Sequence, residues 1–375
     1  MEKILCLSRA PLSYKAGIPV YCKSFYSNIE NMNVDFLNID LLSSIKKTNI
    51  SIHSKTFKEI TFPAFFRFGT LALSYKYFKY IFLNFRNYKY IHFQHPDPFS
   101  AICLIFSILI YGKNNLIVTW HADVYKKYFI FAPFFFFVDL IIFIFAKKVV
   151  FLTEAHVKSS LIGNLNFIMK KAEIIPALLS KNNFLPDKFK IIPHPKEENE
   201  FIFISVGRLV GYKGYLYALE ALAKISFKYK YYIIGNGPLF DSLKRKIKDL
   251  KISDKVFLLG EVTEKQKYSY LNKSNVFLFP SCDSSEAYGL VQLEAMAFSL
   301  PIINTFLRNG VNYLMPSDMC ITVKPKSSNE IMEAIQTLKI NEQLFAKLNK
   351  DSFKRYLSFD RNEVETMIRK LFINK

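Results

Sequence analysis

The chain has 375 residues, 51% of them hydrophobic and 16% aromatic, enough for two or three domains with large cores. Its five cysteines (Cys6, Cys22, Cys103, Cys282, Cys320) are odd in number and widely spaced, which excludes a disulfide framework or zinc knuckle and points to reduced thiols in a cytosolic protein. A formal net charge of +20 fits contact with an anionic membrane surface, with a diffuse solubility charge as the alternative, and no nucleic-acid motif accompanies it.

In chain order, Ile4–Leu7 reads as a first buried strand, and Arg9 cuts the apolar run too short for a signal peptide. The turn-rich SRAPLSYKAGIPVY follows, with Ala16 and Gly17 before a helix from Pro19. A second strand is expected at Val34–Ile39. Between Phe57 and Tyr90 aromatics alternate with cations. Leu71, Tyr75, Phe78, Phe82 and Phe85 recur at helical spacing, with Lys76, Lys79 and Arg86 on other faces. Such a helix can lie in a bilayer interface or pack on a core with a solvated basic side.

Tyr90–Phe93 and Ile117–Trp120 read as strands that end in the loops QHPDPFS and HADVYKK. A zinc reading of His92, His95 and His121 lacks a Cys or carboxylate at ligand spacing. Tyr128–Ala146 is the most apolar run and is long enough to span a membrane, but Pro133 and Asp139 interrupt it. A buried or membrane-grazing helix is the preferred reading. Strands are expected next at Val149–Leu152 and Lys190–Pro195. The charged KEENE, Lys196–Glu200, places a domain boundary there.

The opening theme then repeats. FIFISVGRLVGYKG is a strand, a loop with Gly207, Arg208 and Lys213, and a helix over Tyr215–Ile225. Arg208 offers a planar fork to a diphosphate and Lys213 a mobile point charge. Tyr231–Ile234 is a strand ending in GNGPLF. Gly235 and Gly237 imitate part of a dinucleotide fingerprint, but Phe240 takes the third glycine's place, against a dehydrogenase. Lys244, Arg245, Lys246 and Lys248 read as a solvated helix face.

FPSCDSSEAYGLVQLEAMAFSLPII, Phe279–Ile303, reads as strand, polar loop, helix and strand. Glu286 lies in the loop and Glu294 on the helix. Gly289 sits where loop becomes helix, so backbone amides there can receive a phosphate. An anion site between two acceptors suits a sugar nucleotide; the bland alternative is a capped helix with one exposed Glu.

This stretch, with its Glu-x7-Glu spacing and EAMAFSLP ending, resembles the retaining glycosyltransferases of the GT-B fold, family 4. The resemblance is most specific over Gly207–Pro301 and covers nearly the whole chain. It implies an α/β fold of two Rossmann-like domains facing across a cleft. The expected organisation is an acceptor-side domain at 1–196, a nucleotide-sugar domain at 197–352, and a C-terminal helix at 353–375 crossing back. Glu286 would contact the transferred sugar and Glu294 the ribose hydroxyls. Arg208, Lys213 and the amides near Tyr288, Gly289 and Leu290 would hold the diphosphate, with Gly207 and Gly235 beside them. VFLLGEV, with Gly260 and Val262, resembles the loop that meets the base. Gly17 stands at the second position of a Gly-Gly pair whose first position is Ala16 here, and His121 stands where relatives approach the donor sugar. Ser299 replaces a usual glycine.

The resemblance implies transfer of a hexosyl group from a UDP- or GDP-sugar to a saccharide or lipid-linked acceptor, with no cofactor and no metal. No Asp-x-Asp pair occurs in the chain. The HPDP and TWHADV loops lean toward mannosyltransferase-like makers of surface polysaccharide. The expected location is cytoplasmic, peripheral on the inner face of the membrane. A sugar-nucleotide hydrolase or epimerase, or a catalytically silent membrane-bound partner, are the rivals.

Overall fold

The apolar run EKILCL folds as β1 (Glu2–Leu7), with its last four residues buried. The computed structural model describes residues 2–372 apart from 15–16, 27–31, 42–44, 69–70, 113–114, 123–131, 180–184, 187–189, 196–199, 284 and 308–309. Contacts divide the chain into two compact units, Met1–Ser180 with Arg361–Lys375, and Lys181–Asp360.

In the first unit β1 is followed by α1 (Gly17–Tyr26), β2 (Met32–Ile39), β3 (Asn49–Ile52), β4 (Phe57–Phe62), β5 (Phe66–Phe68), β6 (Leu71–Leu73), α2 (Tyr75–Asn84) and β7 (Tyr90–His95). Then come α3 (Pro98–Tyr111), β8 (Asn115–Trp120), α4 (Ala132–Phe145), β9 (Lys148–Phe151), α5 (Glu154–Ser159), α6 (Asn166–Met169) and β10 (Ala172–Ile174). Eight strands form one sheet in the order β10-β9-β8-β7-β1-β2-β4-β3, and β5 and β6 form a separate pair. Only β3 runs antiparallel to its neighbour in the large sheet. The chain steps outward from β1 through β2 and β4, then restarts at β7 and steps the other way. The order therefore reverses between β1 and β7, where loops of an open α/β sheet part to leave a crevice.

The second unit repeats this plan with β11 (Phe201–Val206), α7 (Tyr215–Leu222), β12 (Tyr229–Ile234), α8 (Phe240–Asp249), β13 (Val256–Gly260), α9 (Glu264–Lys273) and β14 (Val276–Phe279). It ends with α10 (Val291–Ala297), β15 (Ile302–Thr305), α11 (Val311–Leu314), β16 (Ile321–Val323), α12 (Ser328–Ile340) and α13 (Glu342–Leu357). All six strands are parallel, in the order β13-β12-β11-β14-β15-β16, so the reversal falls between β11 and β14. The last helix, α14 (Arg361–Leu371), belongs to the first unit. There Val364, Ile368 and Leu371 are buried and the Phe372 ring meets Phe25, Tyr90 and His92.

Two expected elements differ. Lys190–Pro195 is not a strand. Pro193 and Pro195 cannot donate to a ladder, and side chains hold the segment instead: Asn349 Nδ2 donates to Lys190 O (3.2 Å), and the His194 ring lies 2.8 Å from Leu338 O. These contacts lie in the second unit, as do residues 196 and 352, the boundaries expected from sequence. Leu71 is not on a helix but in the β5–β6 pair, opposite Phe68. Ser74 caps α2 by accepting from Tyr77 N, so the helix begins only at Tyr75. The run Tyr128–Ala146 yields α4, of 14 residues, while residues 128–131 and the 196–199 boundary lie outside the described part. A helix of that length is about 21 Å long, short of a ~30 Å hydrocarbon core. Among the described residues no helix is long and apolar enough to cross a membrane.

Candidate active site

The order reversal in the second unit sets the site, because β11 and β14 are neighbours and both open into polar loops at the same end. The loop after β11 carries Gly207 and Arg208, then one 3-10 turn over Gly211–Lys213. The loop after β14 carries Glu286 and leads to α10 with Glu294. The two loops are fastened together. Cys282 N donates to Tyr212 O at 2.7 Å. Gly214 has φ +66°, and a Cβ there would lie 1.9 Å from Pro280 O, so only glycine permits this approach.

Two buried ion pairs occupy the crevice. Lys213 Nζ lies 2.5 Å from Glu286 Oε2, which also accepts from Ser281 Oγ at 3.0 Å. Lys267 Nζ, from α9, lies 2.6 Å from Glu294 Oε1. Lys213 is 9% exposed and each carboxylate residue 7%. Glu294 Oε2 is buried with no hydrogen-bond partner. Burial raises the Glu294 pKa, against the pull of Lys267. Arg208 is exposed and has no ion-pair partner among the described residues; its charge reaches the Tyr212 hydroxyl, which also feels Glu286. The cluster thus holds three cations and two carboxylates and can receive an anion.

The expected glycines line the same edge. Gly207, Gly235 and Gly260 lie at the ends of β11, β12 and β13, with Gly207 N donating to Ile234 O (2.9 Å) and Gly235 N to Gly260 O (2.8 Å). A Cβ at Gly235 would lie 2.0 Å from Gly207 O, so this glycine is required by packing. Val262 follows β13 and is half-buried. Tyr288, buried, with Gly289 and Leu290, precedes α10, and no side chain caps that helix.

Gly17 and His121 belong to the first unit. Gly17 is exposed at the start of α1, and Ala16 lies outside the described residues. His121 follows β8. Its amide donates to His95 O (3.1 Å), its Nε2 lies 2.9 Å from Gln94 Oε1, and its ring meets Tyr21 edge-on. His92 lies between Tyr26 and Thr119: its Nδ1 is 2.5 Å from the tyrosine hydroxyl and its Nε2 2.7 Å from Thr119 Oγ1. Burial pushes His92 and His121 down to about 3, so both imidazoles are neutral near pH 7. His95 Nε2 lies 3.0 Å from Asp139, the charge that interrupts the apolar run. Gln94 lies between His92 and His121, its Nε2 3.3 Å from His92 Nε2, and no metal-ligand group of three or more His, Cys, Asp or Glu occurs among the described residues. A cavity of about 340 Å³ in this unit is lined by Tyr14, Lys23, Asp40, His53, Glu59 and Thr61, among others.

Residues 187–355 match the family model described as Glycosyl transferases group 1. An uncharacterized glycosyltransferase of Methanocaldococcus jannaschii is 26% identical over 324 residues, 80% of this chain and 75% of that one. Campylobacter jejuni N-acetylgalactosamine-N,N'-diacetylbacillosaminyl-diphospho-undecaprenol 4-alpha-N-acetylgalactosaminyltransferase is 28% identical over 168 residues, 44% of this chain and 45% of that one. Among solved structures, Anabaena HepE in complex with UDP and glucose matches with a TM-score of 0.75 and 16% identity over 99% of each chain. The chain is a glycosyltransferase of the GT-B fold. The fold and the enzyme class expected from sequence are borne out.

In this glycosyltransferase the second unit brings Arg208, Lys213, Glu286 and Glu294 to one strand edge. Two of its residues escaped the sequence reading. Lys267 sits among other lysines on a polar helix and has no local signature; Gly214 was readable only as half of the KG pair in GYKG.

Proposed function

We propose that this glycosyltransferase is a family 4, retaining enzyme that moves a hexosyl group from a nucleoside diphosphate sugar to a saccharide or lipid-linked saccharide. The observation that carries this is the pair of buried Lys–Glu contacts at the β11–β14 reversal, with one Glu294 oxygen unpartnered. Arg208 and Lys213 would take the diphosphate. Glu294 Oε2 would accept from a ribose hydroxyl, and Glu286 from a hydroxyl of the sugar. As the bond from the anomeric carbon to the diphosphate breaks, negative charge grows on the leaving oxygens, and fixed cations there lower the barrier. On this reading no metal is needed to hold the diphosphate, and neither Glu serves as general base.

UDP bound by HepE supports a UDP-sugar, and a GDP-sugar is the other candidate base class. The Campylobacter relative's name gives a diphospho-undecaprenol acceptor, which supports a lipid-linked saccharide, and a relative named O-antigen chain mannosyltransferase C supports a role in surface polysaccharide or lipopolysaccharide assembly. The cavity of the first unit has a polar lining suited to an acceptor's hydroxyls, including Tyr14, Lys23, Asp40, His53 and Thr61, with His53 oriented by Glu59 Oε2 at 3.0 Å from its Nε2. The net charge of +20 supports peripheral contact with the anionic cytoplasmic face of a membrane.

Purified protein is tested against a panel of UDP- and GDP-sugars with and without saccharide acceptors, following product by mass and anomeric configuration by NMR. Acceptor-dependent consumption with an unchanged anomeric configuration is expected. Acceptor-independent consumption would make it a hydrolase or epimerase, and nucleotide binding without turnover on any acceptor a silent partner.

A further inference from the structure

We propose that the outer faces of α3 and α4 form one apolar platform, bordered by the basic outer face of α2, that inserts into an anionic lipid surface. This rests on the membrane-contact part of the proposed function and gives it a location in the fold.

The three helices are neighbours in the first unit, α2 touching α3 and α3 touching α4. Each buries one face in the core, through residues such as Tyr77, Leu104 and Ile142. The opposite faces of α3 and α4 are also apolar. Phe106, Leu109 and Ile110 of α3, and Phe134, Phe137 and Ile144 of α4, are 50–67% exposed. The α3 sequence PFSAICLIFSILIY contains no charged residue, and the one charge of α4, Asp139, is buried against His95. Two adjacent helices thus offer solvent no charge at all. A surface helix of a water-soluble domain normally carries polar residues opposite its core face, and a contiguous apolar patch marks an interaction site.

The flanks identify the occupant. Lys76 and Lys79 on α2, Arg86 just after it and Lys147 just after α4 are exposed. The Arg86 guanidinium lies 5.8 Å from the centre of the Tyr111 ring, at the end of α3. An apolar floor with cations at its margin matches acyl chains below phosphate headgroups, with the long basic side chains reaching the headgroup level. A second copy fits less well: each copy carries +20, and the marginal cations of both would meet.

The test uses the full chain with phosphatidylcholine vesicles, with and without phosphatidylglycerol, at low and high salt. Wild type should sediment with the anionic vesicles and be released by salt. The Leu109→Glu, Phe137→Glu double variant should lose roughly tenfold or more of its vesicle partitioning, while its melting temperature stays near wild type because both side chains are already in water. The Lys76→Glu, Lys79→Glu variant should weaken binding and flatten its salt dependence. As a second readout that keeps the face apolar, Phe137→Trp should be quenched by bromine-labelled lipid. If wild type binds and neither the double variant nor the tryptophan responds, membrane contact stands and this face is the wrong one. Failure of wild type to bind, with a dimer that Leu109→Glu dissociates, would assign the face to a second copy. Failure to bind by a monomeric wild type would remove both the face and the membrane contact.

Discussion

Glu294→Gln should weaken the affinity for a bare nucleoside diphosphate, and Glu286→Gln should not. Glu294 is buried with Lys267 Nζ 2.6 Å from Oε1 and with Oε2 unpartnered, so an acceptor stands ready for a hydroxyl. The glutamine keeps the shape and removes the charge. A hydrogen bond to a charged group contributes about 1.5–3 kcal/mol, so affinity should fall roughly ten- to a hundredfold. Glu286 differs because its carboxylate holds Lys213 at 2.5 Å. It therefore competes with a diphosphate for the same ammonium. Glu286→Gln should leave nucleoside diphosphate affinity unchanged or tighter, while turnover with the complete donor falls. Calorimetric titration of both variants with UDP and GDP, beside turnover on the active donor, reads the contrast. Equal losses of nucleotide affinity would mean that the pair acts through loop architecture, and no loss in either would return α10 to a purely structural role.

Arg208 is exposed and Lys213 buried, so their alanine variants should part in stability while agreeing in rate. Both should lower turnover ~10²-fold or more, as for a lost transition-state contact. Lys213→Ala should also cost about 3–5 kcal/mol of stability by removing one partner of a buried ion pair, whereas Arg208→Ala should melt like wild type. Near-normal rates in both would take them out of the site. A third expectation concerns pH. His92 and His121 are held near 3 by burial, below the ~6.5 of an unfolded chain, so the unfolded state takes up protons first as pH falls. Stability should therefore drop by roughly 1.2 kcal/mol per histidine between about pH 7 and pH 5.5. Urea unfolding at the two pH values measures it, and His92→Asn should halve the drop; an unaltered drop would show that His92 is not buried neutral.

The parts of the site legible in the sequence were those with a local signature. Glu286 and Glu294 sit at fixed spacing across a strand, loop and helix, and Arg208 and Lys213 in a glycine-bearing strand-to-helix turn. Lys267 was not legible, since nothing near it separates it from Lys265 or Lys273; its meaning comes from a carboxylate on another helix. The bonds of His92 were equally hidden, because Tyr26 and Thr119 reach it from distant parts of the chain. Periodicity misled where two elements shared one phase. Leu71 fits the spacing of Tyr75 and Phe78, yet the Ser74 cap ends that register and Leu71 pairs in a strand. At Lys190–Pro195 an apolar pair imitated a strand that two prolines cannot complete.

The charge arithmetic of the crevice ties the two ends of a donor together on the proposed reading. Arg208 is the cation without a carboxylate partner among the described residues, and it is the one in water. A diphosphate drawn to it gains a second cation only if Lys213 leaves Glu286. That takes the ammonium away from a buried carboxylate, which keeps Ser281 Oγ as a donor, and separating a buried ion pair is costly. A sugar on the same diphosphate can supply hydroxyls to Glu286, whereas a bare nucleotide cannot. The exchange of Lys213 from carboxylate to phosphate should therefore be more complete with the sugar present, and the complete donor should bind more tightly than its nucleoside diphosphate. Glu286→Gln removes the charge that would be stranded and should narrow that gap. Omitting the acceptor allows both ligands to be titrated without transfer and with Arg208 in place; a gap that stays the same with and without the Glu286 charge would break the link between the ion pair and recognition of the sugar.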